Sequence, residues 1–181
     1  LRAYGYAGVI CTGPMLLGVG LQTGILLLCS RAGAARAEQD LLVCMVTYTL
    51  LSSLLVTSFF SMPVTRFVAD MLYEERETAI LPAFWGSSSL MLVLGCGLYG
   101  AFLLVSGATL AQGLLCLWLF AEMIVNWNAM GCLTAIKDYR GVLLSFAAAL
   151  AAAFGAGAVL VFWLGAPVLE GFLLAIAAGY G

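Results

Sequence analysis

The sequence predicts an all-α protein, a polytopic bundle of transmembrane helices. Three observations carry that reading. Of the 181 residues, 64% are hydrophobic and only 9% charged, whereas a soluble protein keeps about a quarter of its residues charged. The mean hydropathy is +1.12. The apolar residues also fall into long segments. A hydrocarbon core about 30 Å thick demands about 20 apolar residues of a helix that crosses it. Residues 1–181 have room for six such segments and no large soluble domain, so the whole chain reads as one membrane bundle.

The first span runs from about Tyr4 to Ser30. It is too long, and wrongly flanked, for a cleaved signal peptide. Gly13-Pro14 inside it predicts a kink, because proline removes one backbone hydrogen bond and clashes with the preceding turn. Gly13 and Pro14 are therefore hinge candidates. Gly20 and Gly24 continue a small-residue face as a GxxxG, for which close helix packing is the competing use.

A polar connection, Arg31 to Asp40, leads to a second span, about Leu41 to Met62. The longest polar stretch follows, Thr65 to Glu77. In it Phe67/Met71 and Val68/Leu72 fall four residues apart. Arg66 and Asp70 share that spacing, which allows a helical ion pair. This predicts a short interfacial helix in the cytoplasmic loop. Its charges either keep the helix ends out of lipid or dock a partner.

The third span runs from about Ala83 to Val105, after Pro82. Ser106 to Thr109 is a tight connection into the fourth span, Leu110 to Ile136. Lys137 to Arg140 separates it from the fifth, Gly141 to Leu164, whose alanine and glycine run reads as close packing. Gly165-Ala166-Pro167 turns the chain into a sixth span, about 169–181, too short to be complete. The chain starts at Leu1, without methionine, so a longer membrane protein is expected.

Lys and Arg set the orientation. Arg2, Arg66, Arg76, Lys137 and Arg140 fall on one side, and only Arg31 and Arg36 on the other. The first side is expected in the cytoplasm, with the amino end. No basic tract suggests nucleic acid. The main environment is membrane lipid.

Catalytic constellations are absent from the sequence. There is no histidine, so Ser-His-Asp and Cys-His arrangements are ruled out within this chain. The cysteines lie in or beside apolar segments without CxxC spacing and read as small hydrophobes. No cofactor motif and no metal-ligand spacing stands out, and the chain does not read as an enzyme.

Glu122 is the sharpest single residue. It sits near the middle of the fourth span, where a charge costs about 2.5–3.5 kcal/mol on insertion scales. Such a residue usually faces the bundle interior. Trp118 and Asn126 lie four residues to either side on the same stripe, which offers an indole plane, a carboxyl and an amide. That set suits a sugar, or a cation in a coupled carrier. A plain interhelical hydrogen bond is the structural alternative. Trp127 and Asn128 point elsewhere and read as near-interface residues.

Three strings are specific beyond composition. Leu1 to Pro14 reads LRAYGYAGVICTGP, Thr65 to Pro82 reads TRFVADMLYEERETAILP, and Ala135 to Gly141 reads AIKDYRG. Together they resemble the PelG family, Pel exopolysaccharide transporters of bacterial inner membranes. The resemblance runs from Leu1 through the fifth span. It implies a relation to the MOP flippase superfamily, hence a MATE-like fold of two six-helix bundles. This chain would form the amino-terminal half. It also implies export of a galactosamine- and N-acetylgalactosamine-rich biofilm polysaccharide. The implied partners are a cytosolic glycosyltransferase and a cyclic-di-GMP-binding membrane subunit.

Two other functions fit the same residues. One is a cation-coupled exporter of drugs or small molecules, in which Glu122 and the Gly13-Pro14 kink would serve equally well. The other is a membrane scaffold that anchors a polysaccharide synthase and would tolerate the loss of both.

Overall fold

The computed structural model describes residues 35–136, 139–163 and 167–180, together with 19–20, 22–24, 26–27, 29–31 and 33. Helix α1 is described at 19–20, 22–24, 26–27 and 29–31. Gly33 follows it at φ 70°, in the left-handed region that glycine adopts without cost. The hinge candidates Gly13 and Pro14 lie outside the described residues.

Helix α2 runs without interruption from Arg36 to Tyr73, 38 residues. At 1.5 Å per residue it is roughly 57 Å long, well beyond the thickness of a hydrocarbon core. The break expected after Met62 does not occur. Arg66 and Asp70, expected on a separate short interfacial helix, sit on the last turns of this one helix. Pro63 lies inside it and removes only one hydrogen bond. Val64 to Tyr73 contains no second breaker, and Val68 is fully buried, which holds this stretch against the bundle.

The end of α2 is built by backbone alone. Arg76 N–H bonds the Met71 carbonyl at 2.9 Å and Glu75 N–H bonds the Leu72 carbonyl at 3.3 Å. These are the two bonds of a Schellman cap. The cap puts Glu75 at φ 57°, a place glycine usually takes. After a short 3-10 turn, Glu77–Ala79, α3 spans Ile80–Ser106. Pro82 falls in its first turn, where the missing N–H has no intrahelical partner to lose.

Gly107 ends α3 at φ 74°. Thr109 and Gln112 then open α4, Leu110–Ile136. Gln112 N–H donates to the Thr109 hydroxyl at 3.4 Å, and Thr109 N–H donates to the Gln112 side-chain oxygen at 3.3 Å. This is the reciprocal capping box, the reason so short a connection can reverse the chain. Helix α5, Tyr139–Ala158, continues as a π-helical turn over Val159–Trp163. Helix α6 is Val168–Tyr180.

Among the described residues, α2, α3 and α4 are long and apolar enough to cross a membrane. The remaining apolar stretches are shorter, Ala147–Val161 from α5 into the π-helical turn and Leu169–Gly179 in α6. The described chain is all helical, but the six expected spans appear in it as three long helices and two shorter ones besides α1. Leu55, Phe59, Leu104 and Val105 point outward and are 75–88% exposed. Such outward apolar faces suit hydrocarbon, where the helix satisfies its own backbone.

Helix α4 is the centre, packed against α2, α3 and α6, while α5 pairs with α6. Cys116, Leu119, Phe120, Met123 and Ile124 form its buried stripe. In lipid, helices associate by close packing and interhelical hydrogen bonds, not by escape from water. Glycines accordingly mark the tight crossings. A Cβ on Gly95 of α3 would meet Ile124 Cδ1 at 2.9 Å, and one on Gly179 of α6 would meet the Ala153 backbone at 2.6 Å. Helix α1 joins through Gly24, which faces the Phe154 ring, and through a 2.7 Å bond from the Gln22 amide to Thr47.

Candidate functional site

Helix α2 carries a hydroxyl at every fourth position: Thr49, Ser53, Thr57, Ser61 and Thr65. Four residues turn an α-helix by 400°, so this row drifts about 40° around the axis per step. Its first three members are buried. Each member donates its own hydrogen to a carbonyl about one turn back. Thr49 bonds Met45 at 2.8 Å, Ser53 bonds Leu50 at 2.8 Å and Thr57 bonds Ser53 at 2.8 Å. Ser61 bonds Ser58 at 3.0 Å and Thr65 bonds Ser61 at 2.7 Å. Apolar surroundings favour this back-bonding. It leaves each hydroxyl oxygen as an acceptor for a neighbour.

The neighbours use those acceptors. Tyr99 of α3 lies with its hydroxyl 2.7 Å from Thr49 Oγ1. Because the Thr49 hydrogen is on the Met45 carbonyl, Tyr99 is the donor. The Cys116 thiol of α4 also lies beside Thr49. The Tyr99 ring stacks on Phe120 with centroids 4.5 Å apart and planes 16° from parallel. One turn along α2, the Trp127 indole N–H donates to Ser53 Oγ at 3.1 Å. On the α3 side, the Asn128 amide donates to Ser88 Oγ at 2.8 Å, Ser87 Oγ at 2.9 Å and the Phe84 carbonyl at 3.4 Å. Such bonds between membrane helices average about 0.6 kcal/mol each.

Towards the carboxy end of α2 the helices part. A cavity of about 540 Å³ opens between α2 and α4, within the range of about 300–1,000 Å³ seen for ligand sites. Thr57, Ser58, Ser61 and Thr65 line it from α2, Trp127, Asn128 and Thr134 from α4, and Met91 from α3. Among the described residues, no charged side chain lines it. Towards the other end of α2 lies a smaller cavity of about 220 Å³, edged by Tyr48, Tyr99, Phe102 and Gln112. The Thr49–Tyr99 and Ser53–Trp127 bonds fall on the stretch of α2 between the two.

The residues singled out by the insertion-cost argument sit elsewhere. Glu122 is half-buried midway along α4. Trp118 lies beside its carboxyl, while Glu122 Oε2 is buried and has no hydrogen-bond partner among the described residues. The structure thus brings Trp118 and Glu122 together. Five residues separate Glu122 from Trp127, which places the two roughly 140° apart around the helix. Trp118, Glu122 and Asn126 do not line the hydroxyl cavity. Arg66 and Asp70 lie just beyond Thr65 as an exposed pair 3.3 Å apart.

Trp127 and Asn128 are the correction on this helix. The sequence reading sets them at the interface, whereas here they bridge α4 to α2 and α3 and edge the cavity. The signal that points to Trp127 is the every-fourth hydroxyl row of α2, which offers it an acceptor, and the signal for Asn128 is the Ser87-Ser88 pair of α3. Among the described residues, no three His, Cys, Asp or Glu side chains converge as metal ligands. The hydroxyl row and the Trp127 and Asn128 donors give the site a hydrogen-bonding character.

The whole chain, residues 1–181, matches the family model PelG, described as "Putative exopolysaccharide Exporter (EPS-E)". No curated protein and no solved structure matches it.

Proposed function

The chain belongs to the PelG family of exopolysaccharide exporters, and from that premise we propose that it forms part of the membrane path of a Pel-type polysaccharide. The observation that carries the reading is the hydroxyl-lined cavity between α2 and α4. A glycan offers many hydroxyls and little net attraction to lipid. A hydroxyl-lined groove inside an otherwise apolar bundle compensates the hydrogen bonds such a chain loses on leaving water. On this reading the protein sits in the bacterial inner membrane with its amino end in the cytoplasm. The described helices form part of the amino-terminal bundle of a MOP-like transporter and carry no catalysis of their own. A cytosolic glycosyltransferase and a cyclic-di-GMP-binding membrane subunit are its proposed partners.

The test is secretion. In cells making the full-length protein, Thr57→Val, Ser61→Ala and Thr65→Val combined should lower secreted polysaccharide while leaving the protein in the membrane. Undiminished secretion from that triple variant removes the cavity from the path.

A second reading rests on Glu122. Its buried Oε2 has no partner among the described residues, and an acid at mid-span usually marks an ion or proton route. Export coupled to a cation would use it. That reading is compatible with the first, since Glu122 and the cavity occupy different sides of α4.

A further inference from the structure

A third cavity, of about 510 Å³, lies where the carboxy end of α2 meets the amino end of α3 and the last turns of α4. Its walls include Leu72 of α2, Ile80, Leu81 and Phe84 of α3, and Ala129 and Leu133 of α4. None of these residues lines the hydroxyl cavity. Helices α3 and α4 have 27 residues each, roughly 40 Å at 1.5 Å per residue, about 10 Å more than a hydrocarbon core needs. At the far end Leu104, Val105 and Leu110 keep an exposed apolar face up to the last turn, so the surplus length falls at this end. The cavity therefore sits where acyl chains meet headgroups. Tyr73 and Trp85, both exposed, bracket its α2 and α3 walls in sequence, and such rings gather at that boundary.

The turn between Leu72 and Ile80 carries a cation, Arg76. Its N–H bonds the Met71 carbonyl at 2.9 Å, and its carbonyl accepts the Ala79 N–H at 3.1 Å. The main chain of Arg76 is thereby tied to the neighbours of both walls. Its guanidinium lies 3.7 Å from the Glu74 carboxylate, and both side chains are exposed. An exposed pair of this kind holds weakly. A phosphate takes a guanidinium through two parallel hydrogen bonds and can replace it.

We propose that this cavity seats one acyl chain of a membrane phospholipid, whose phosphate Arg76 holds. The apolar walls suit a hydrocarbon chain, the cation on the turn suits an anionic group, and the depth of the cavity brings both within reach of one molecule of the leaflet. Leu81 stands 65% exposed at the rim. Left uncovered, it and the walls would face the hydrated headgroup layer, where apolar area is costly. A seated chain removes that area from water. The site is independent of the polysaccharide reading.

Native mass spectrometry of the purified, delipidated full-length protein tests the site. The probes are phosphatidylethanolamine and a diacylglycerol with the same chains, which differ only in the phosphate headgroup. The unaltered protein should bind the phospholipid about tenfold more tightly, the weight of one charge-assisted contact. Arg76→Gln should bring the two lipids level. Ala129→Phe, which fills the cavity, and Leu81→Gln, which makes the rim polar, should each weaken both lipids. Leu110→Gln, at the far end of the bundle, should weaken neither. An excess of inorganic phosphate should leave the phospholipid in place, and its displacement would reduce the site to a phosphate contact without a seat for the chain. Equal binding of the two lipids to the unaltered protein overturns the proposal, as does a preference that survives in Arg76→Gln. So does undiminished binding to Leu81→Gln and Ala129→Phe proteins that melt at the temperature of the unaltered one.

Discussion

Trp127 of α4 donates its indole N–H to the Ser53 hydroxyl of α2 at 3.1 Å, at the edge of the hydroxyl-lined cavity. The acceptor is available because Ser53 has already given its own hydrogen to Leu50. The bond joins helices that are neighbours in space and remote in sequence. It ties the closed stretch of the α2/α4 contact to the open one.

A double-mutant cycle on this pair measures the tie. Ser53→Ala and Trp127→Phe should each destabilise the protein in micelles. Their coupling energy should be about 0.6 kcal/mol and below about 1.7 kcal/mol, the range of interhelical bonds in membranes. Additive effects would mean that the bond contributes nothing to holding α2 against α4.

Tyr99 holds the next turn by two means that can be separated. Tyr99→Phe removes the donor to Thr49 and keeps the ring on Phe120. It should cost about 1 kcal/mol. Tyr99→Ala also loses the stacked ring and leaves a void, and should cost about 3–5 kcal/mol. Thermal unfolding in detergent, read by circular dichroism, distinguishes the two.

The α5/α6 crossing depends on a missing side chain. Gly179→Ala would press a Cβ to 2.6 Å from the Ala153 backbone. Overpacking of this kind should cost about 1–3 kcal/mol. Gly97→Ala is the control, with nothing within 4 Å of its new Cβ. It should leave stability unchanged or raise it by up to about 1 kcal/mol through helix propensity. The melting temperatures of the two variants should move apart.

The Schellman cap after α2 holds Glu75 at φ 57°. A non-glycine residue there costs roughly 1–2 kcal/mol. Glu75→Gly relieves this, less the entropy of a freer unfolded chain. The melting temperature should rise, and a fall would show that the Glu75 side chain itself supports the cap.

Glu122→Gln preserves shape and removes a charge from mid-span. Secretion by the full-length protein should drop while its abundance in the membrane holds or rises, since the insertion cost of about 2.5–3.5 kcal/mol is lifted. Undiminished secretion would reduce Glu122 to a packing role beside Trp118.

Much of the helix punctuation was legible in the residues. Pro82, Gly107 and the Thr109/Gln112 pair set ends by local chemistry that acts within one turn. The continuity of α2 was less so. The polar tail from Thr65 read as a break, and the burial of Val68 against the bundle and the backbone cap at Glu75 carry the helix on to Tyr73. Glu122 stood out in the sequence because a mid-span acid is costly whatever it faces. The stripe it shares with Trp118 is likewise a matter of 3.6 residues per turn. Which stripe of α4 meets which neighbour is another matter. In a soluble helix the polar face points to water and betrays the inner one. In lipid both faces are apolar, and serine or threonine is content on either because it can bond its own backbone. The row from Thr49 to Thr65 was thus visible as a spacing and silent as a surface. Packing gave it meaning, by setting Tyr99, Trp127 and Asn128 around the α2/α4 contact and leaving the rest of the row open to a cavity.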